Sequence, residues 1–206
     1  MSFDGWTVFA LFWVLFVTSP GPNAVNCITN GMTLGLPKAL WGVAGILTQS
    51  LLFLFLSAAG ITALIAASPT GFLIAKYMGA GFLVWTGVRG WLRARKPADI
   101  GPVNAGSVYG RAFMIATINP KSVAGYLAAF SQFVQPDVPI WSQMAVIVPT
   151  ALTITSLSYL TYTLLGVYIG RAALGVAFNT WFRRGLAACF VLYGVLLAGA
   201  AVPQRA

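Results

Sequence analysis

"TSPGPNAVNCITN", residues 18–30, interrupts an apolar run that starts near Trp6. Two prolines and a glycine break the run, and asparagines follow. Proline inside a helix removes a backbone donor and clashes with the preceding turn, which costs roughly 3 kcal/mol. The same residue is favoured at the first position of a helix. The stretch therefore reads as one helix that stops near Pro20 and Gly21 and a second that restarts at Pro22.

A similar break lies in "INPKS", residues 118–122. Asparagine is a good N-cap, so Asn119-Pro120 also reads as a restart. Pro22 and Pro120 are 98 residues apart, close to half of the 206-residue chain. Ordinary proline kinks are the competing explanation, and Lys121 weighs against them. A charge near the middle of a bilayer costs at least about 2.5–3.5 kcal/mol and by default marks a function. Snorkelling to the interface would require a place near the end of the span.

Composition defines the solvent. The chain is 59% hydrophobic and 7% charged, whereas a soluble domain carries about 25% charged residues. The expected fold is an all-α polytopic membrane protein. Spanning takes about 20 mostly apolar residues, and six such runs are read: Trp6–Asn30, Ala39–Ala66, Phe72–Trp91, Ser107–Phe130, Ile140–Ile169 and Trp181–Val202. The first and fourth hold the proline breaks. Residues 1–97 and 107–206 form two three-helix halves of one compact domain, joined by a linker at 98–106. Three spans per half is odd, so the halves enter the membrane in opposite senses, as inverted repeats. A weak echo between "FLVWTG" (82–87) and "FVLYG" (190–194) accompanies the paired breaks.

The net charge of +9 sets topology rather than a nucleic-acid partner, since no basic stripe interleaved with aromatics leaves the membrane. Lys38, Arg89, Arg93, Arg95, Lys96, Arg111, Arg171, Arg183 and Arg184 fall on one side, Lys76 and Arg205 on the other. The first set is expected in the cytoplasm, with both termini outside. The N-terminus has Asp4 but no basic region or Ala-x-Ala site, so the first helix is expected to remain in the mature protein.

Two helix restarts aimed at one point would present two positive helix ends to a common site, and a carboxylate is their natural ligand. Lys121, at the start of a helix, would add to that positive end unless an anion or a carbonyl cluster from the facing break offset it. Asn23, Asn26 and Asn30 share one helix face, suited to a substrate ammonium or to hydrogen bonds between helices. Thr155, Ser158, Tyr159 and Tyr162 share another, with the same two explanations. Gly31-x-x-x-Gly35, Gly106-x-x-x-Gly110 and Gly166-x-x-x-Gly170 would allow close helix approach, within the chain or in a homodimer.

At these residues the sequence resembles the LysE/RhtB superfamily of bacterial amino-acid exporters. The resemblance rests on Pro-Gly-Pro at 20–22, the Gly31…Gly35 turn, "GAGFLVWTG" (79–87), the basic loop after it and Asn119-Pro120-Lys121. It implies export of amino acids or their derivatives across the inner membrane, driven by an ion gradient, with the proton as coupling ion. Some relatives that export basic amino acids carry an acid in the second helix. Here Gln49 stands in that region, and Asp4, Asp99 and Asp137 all read as loop or end residues. A neutral or zwitterionic substrate is therefore expected over a basic one, and no proton carrier is visible.

The expected substrate site comprises Gly21, Pro22, Asn23, Asn26, Gln49, Asn119, Pro120, Lys121, Tyr159 and Tyr162. Pro20, Gly21, Pro22, Asn119 and Pro120 form the helix breaks. A transporter, not an enzyme, is expected, without metal or cofactor. A thiol-disulfide carrier would need a cysteine beside each break, and only Cys27 lies near one. A metal-ion exporter would want histidines or intramembrane acids. A passive channel for a neutral metabolite remains the other alternative.

Overall fold

The computed structural model describes residues 2–95, 107–170, 172–177 and 179–200. The expected linker at 98–106 lies outside these residues, as do Lys96, Asp99, Gly106, Arg171 and Arg205. All regular structure among the described residues is helical: α1 (Phe3–Thr18), α2 (Pro22–Leu34), α3 (Leu36–Ala67), α4 (Pro69–Leu92), α5 (Val108–Ile118), α6 (Pro120–Phe133), α7 (Ile140–Ile169), α8 (Ala172–Ala177) and α9 (Thr180–Ala200).

The helix limits follow local chemistry. Ser2, Ser68 and Ser107 cap α1, α4 and α5 by accepting bonds from the amides of Gly5, Gly71 and Gly110. Pro22 and Pro120 open α2 and α6, as proline-first helices. Asn119 ends α5 and caps α6, its Oδ1 accepting from the Lys121 amide at 3.1 Å. Between α6 and α7, buried Gln143 holds the turn. Its side chain accepts from the Gln135 amide and donates to the carbonyls of Gln135 and Val138. The short α8 falls where the sequence suggested only a loop.

Bilayer lipid is as apolar as leucine, so helices associate there through close packing and hydrogen bonds. Glycines make the seams. A side chain at Gly31 would run into the Thr163 backbone, and one at Gly166 into the Ile28 backbone, so α2 and α7 meet main chain to main chain. Gly45 does the same for α3 against Tyr109 of α5. Gly87 abuts Ala187 and Val191, and Gly194 abuts Ala80 and Val84, pairing α4 with α9. The three glycine pairs read as packing motifs need correction. Gly35 and Gly170 have φ of +70° and +52° and no atom near a would-be side chain, so they terminate helices. Gly110 meets only the capping Ser107 hydroxyl. One glycine of each described pair with a close approach, Gly31 and Gly166, packs helices.

An aromatic core fills the centre of α1. Phe9, Phe12, Trp13 and Phe16 are buried and meet Tyr126 and Phe133 of α6 in edge-on or tilted ring contacts. The Trp13 indole N–H is shared between the Ala151 carbonyl and the Thr155 hydroxyl of α7, at 3.1 and 3.0 Å. Outward faces are apolar instead of charged, with Leu52, Phe55, Leu56, Leu157 and Leu196 exposed. Among the described residues, Leu36–Ile61 of α3 and all of α7 are long and apolar enough to cross a bilayer, and α1 with α2, bent by 59° at the break, are so only when taken together. The chain is thus a polytopic helical membrane protein.

Candidate functional site

The two breaks meet. Where α1 stops, its last carbonyls have no partner further along the helix and carry the partial negative charge of a helix C-terminus. Lys121 Nζ donates to the Ser19 carbonyl at 2.7 Å. The Tyr162 hydroxyl donates to the Thr18 carbonyl. The Lys121 ammonium also lies 5.3 Å from the centre of the Phe16 ring. The lysine is thus placed by α6 but stabilised by the end of α1. Of the two offsets considered from sequence, the facing break supplies one carbonyl, that of Ser19.

Two cavities share the Ser19, Gly21, Asn119 and Lys121 wall. The larger, of about 350 Å³, falls within the roughly 300–1,000 Å³ of small-molecule sites. Pro20 and Pro22 line it from the first break, Phe82, Trp85, Thr86 and Arg89 from α4, Arg93 from the α4 C-cap, and Arg183 and Phe190 from α9. The smaller cavity, of about 20 Å³, lies on the other side of the wall among Asn23, Gln49, Ser122, Tyr126, Thr155 and Tyr159. A volume of that size holds about one water. Two buried groups beside it, Asn23 Oδ1 and Gln49 Nε2, lack a protein partner, which makes a polar guest the natural occupant. Tyr126 donates to Ser50 at 2.7 Å, and Asn23 Nδ2 donates to the Tyr159 hydroxyl at 3.4 Å.

The expected site residues divide accordingly. Gly21, Asn119 and Lys121 line both cavities, Pro20 and Pro22 the larger, and Asn23, Gln49 and Tyr159 the smaller. Pro120 stands at the first position of α6. Tyr162 and Asn26 line neither cavity; Tyr162 reaches the α1 end, and Asn26 is buried with Nδ2 unpaired. Asn30 faces α3, its Nδ2 close to Gly42, as a packing residue would.

Sequence reading missed the walls contributed by α4 and α9. Phe82, Trp85, Thr86 and Arg89 lie on one face of α4, with Arg93 at its C-cap, and Arg183, Ala187 and Phe190 recur every three or four residues on α9. That spacing was available, but the arginines were read only as topology markers. Among the described residues, no Asp or Glu lines either cavity. Among the described residues no group of His, Cys, Asp and Glu could hold a metal ion, and Cys27 and Cys189 are both free.

A polytopic helical protein with two broken helices beside a ligand-sized cavity has an architecture that membrane transporters use. The profile of the LysE type translocator family matches residues 14–200, and the chain belongs to that family. It is 31% identical over 204 residues to an uncharacterized membrane protein of Vibrio cholerae, covering 97% of this chain and 99% of that one. It is 28% identical to the homoserine/homoserine lactone efflux protein of Salmonella typhimurium, covering 97% and 98%. It is 30% identical over 166 residues to the leucine efflux protein of Salmonella choleraesuis, covering 78% and 77%. No solved structure matches the chain significantly.

Proposed function

We propose that the chain exports a small neutral or zwitterionic amino acid, or an amino-acid derivative, across the bacterial inner membrane. The observation that carries this is the junction of the two breaks. Lys121 and the restarting helices α2 and α6 border one cavity of about 350 Å³, and a substrate carboxylate would find positive partners there. The surrounding positive charge, with no acid among the described residues that line the cavity, disfavours lysine or arginine as cargo. Efflux relatives for leucine and for homoserine and its lactone support the amino-acid class.

In this reading the chain spans the membrane six times, as two inverted three-helix halves. Reciprocal packing supports it: Gly87 fits against α9 and Gly194 against α4, and these glycines close the two echoing stretches. Both termini face outside, and the arginine-lined mouth of the cavity opens to the cytoplasm. The proton gradient drives export, and homodimerisation is compatible with the exposed apolar faces. Cells preloaded with labelled leucine, homoserine, homoserine lactone and lysine test the proposal. Protein-dependent efflux of a neutral member, abolished by a protonophore, is expected. Absence of any protein-dependent efflux overturns the exporter, and efflux indifferent to the gradient points to a passive channel.

A further inference from the structure

The smaller cavity is walled by α1, α2, α3, α6 and α7, and two of its polar side chains end in orphaned groups. Asn23 on α2 is 5% exposed and Gln49 on α3 is 1% exposed. Asn23 Oδ1 and Gln49 Nε2 nevertheless have no hydrogen-bond partner among the described residues. A buried donor or acceptor left unmade costs its full desolvation, so each calls for a guest. Of the three asparagines on the α2 face, Asn23 lines this cavity, while Asn26 and Asn30 line neither cavity at the breaks. The other end of its amide is tethered: Nδ2 donates to the Tyr159 hydroxyl at 3.4 Å, which leaves Oδ1 as the free acceptor.

Size and charge select the guest. About 20 Å³ holds one water-sized group. A primary ammonium fits that space, and a carboxylate, with two oxygens on one carbon, overfills it. Phe16, Val17 and Ser19 bring the end of α1, with its partial negative charge, to this cavity, and the rings of Phe16 and Tyr126 add π faces. Lys121 is the cation on the wall shared with the larger cavity, and its Nζ is held on the Ser19 carbonyl at 2.7 Å. A carboxylate lying between Lys121 and an ammonium would make the charges alternate in sign. Gln49 Nε2 is a free donor for that carboxylate.

We propose that the smaller cavity is the α-ammonium subsite of the transporter. The substrate ammonium donates to Asn23 Oδ1, its carboxylate takes Lys121 and Gln49 Nε2, and its side chain lies in the larger cavity against Phe82, Trp85 and Phe190. The site thus takes α-amino acids with a free primary amine and rejects N-substituted ones. This rests on the exporter reading and deepens it by naming the group that each cavity receives. A resident water is the competing occupant.

The test is thermal unfolding of the purified full chain in detergent, titrated with leucine, N-methylleucine and isocaproate, which is leucine without its amine. Leucine is expected to bind at least about tenfold more tightly than isocaproate, the scale of a lost charged hydrogen bond. N-methylleucine is expected to bind at least about tenfold more weakly than leucine, because its methyl group overpacks the cavity. Asn23→Leu removes the acceptor at similar volume and should bring leucine and isocaproate to about equal affinity. An Asn23 that only ties α2 to Tyr159 would weaken both ligands alike and leave their ratio unchanged. If Asn23→Leu does not fold, the N-methylleucine comparison in the wild type decides alone. N-methylleucine binding as tightly as leucine overturns the proposal and gives the smaller cavity to water. So does equal binding of leucine and isocaproate by the wild type, a leucine preference that survives Asn23→Leu, or no response to leucine. Efflux from preloaded cells separates the two failures. Equal export of leucine and N-methylleucine sinks the subsite alone, whereas no efflux of any amino acid sinks the exporter.

Discussion

Lys121 Nζ donates to the Ser19 carbonyl at 2.7 Å, joining residues 102 positions apart and tying one helix break to the other. The bond places a cation at the negative end of α1 while the same side chain borders both cavities. A lysine read from sequence as an intramembrane charge needing an anion or a carbonyl to offset it is therefore bonded to the facing break and lines both cavities.

Lys121→Met keeps the aliphatic stem and removes the donor. Loss of a charged hydrogen bond with its acceptor left unpaired costs about 1–3 kcal/mol, so the unfolding temperature in mild detergent should fall. Efflux at subsaturating substrate should fall as well, more than the loss of folded protein explains. Wild-type efflux by the variant would remove Lys121 from the transport site.

Pro22→Ala and Pro120→Ala restore an amide at the first position of α2 and of α6. Each variant should let the preceding helix continue and withdraw the end of its partner from the cavity. Transport is expected to drop sharply while membrane expression persists. Normal transport by both variants would make the prolines packing kinks.

Glycine substitutions separate packing from shape. Gly31→Ala and Gly166→Ala force a methyl group into the facing backbone and should destabilise by about 1–3 kcal/mol, as overpacking does. Gly21→Ala introduces a methyl group with no atom within 4 Å, in extended backbone at φ −160°. Its unfolding temperature should match that of the wild type. The reverse order of stabilities would contradict the α2–α7 seam.

Orientation follows from the charge bias. Ala98→Cys, in a background lacking Cys27 and Cys189, should resist an impermeant thiol reagent in intact cells and react after lysis. Reaction before lysis would invert the topology.

The breaks were legible because proline and asparagine act locally. Pro22, Asn119 and Pro120 dictate where α2 and α6 begin whatever surrounds them. The run Ile140–Ile169 was legible for the same reason, as an uninterrupted apolar stretch. Partners across the fold were not. Nothing local to Lys121 shows that its ammonium would meet Ser19, because that contact depends on how α6 packs on α1. The arginines of α4 were visible as charges, yet their convergence with Arg183 required the α4–α9 seam built on Gly87 and Gly194. Gly35 and Gly170 were misread because a glycine that ends a helix and one that packs a helix look alike in sequence.

The central claim is that substrate binds where the two breaks meet. Gly21→Cys in the cysteine-free background places a thiol on the wall shared by both cavities. Its rate of reaction with a small thiol reagent, measured with and without a transported amino acid, tests that claim directly. Protection is predicted at the same substrate concentrations that saturate efflux. An unchanged rate at saturating substrate, in protein that still transports, would contradict it.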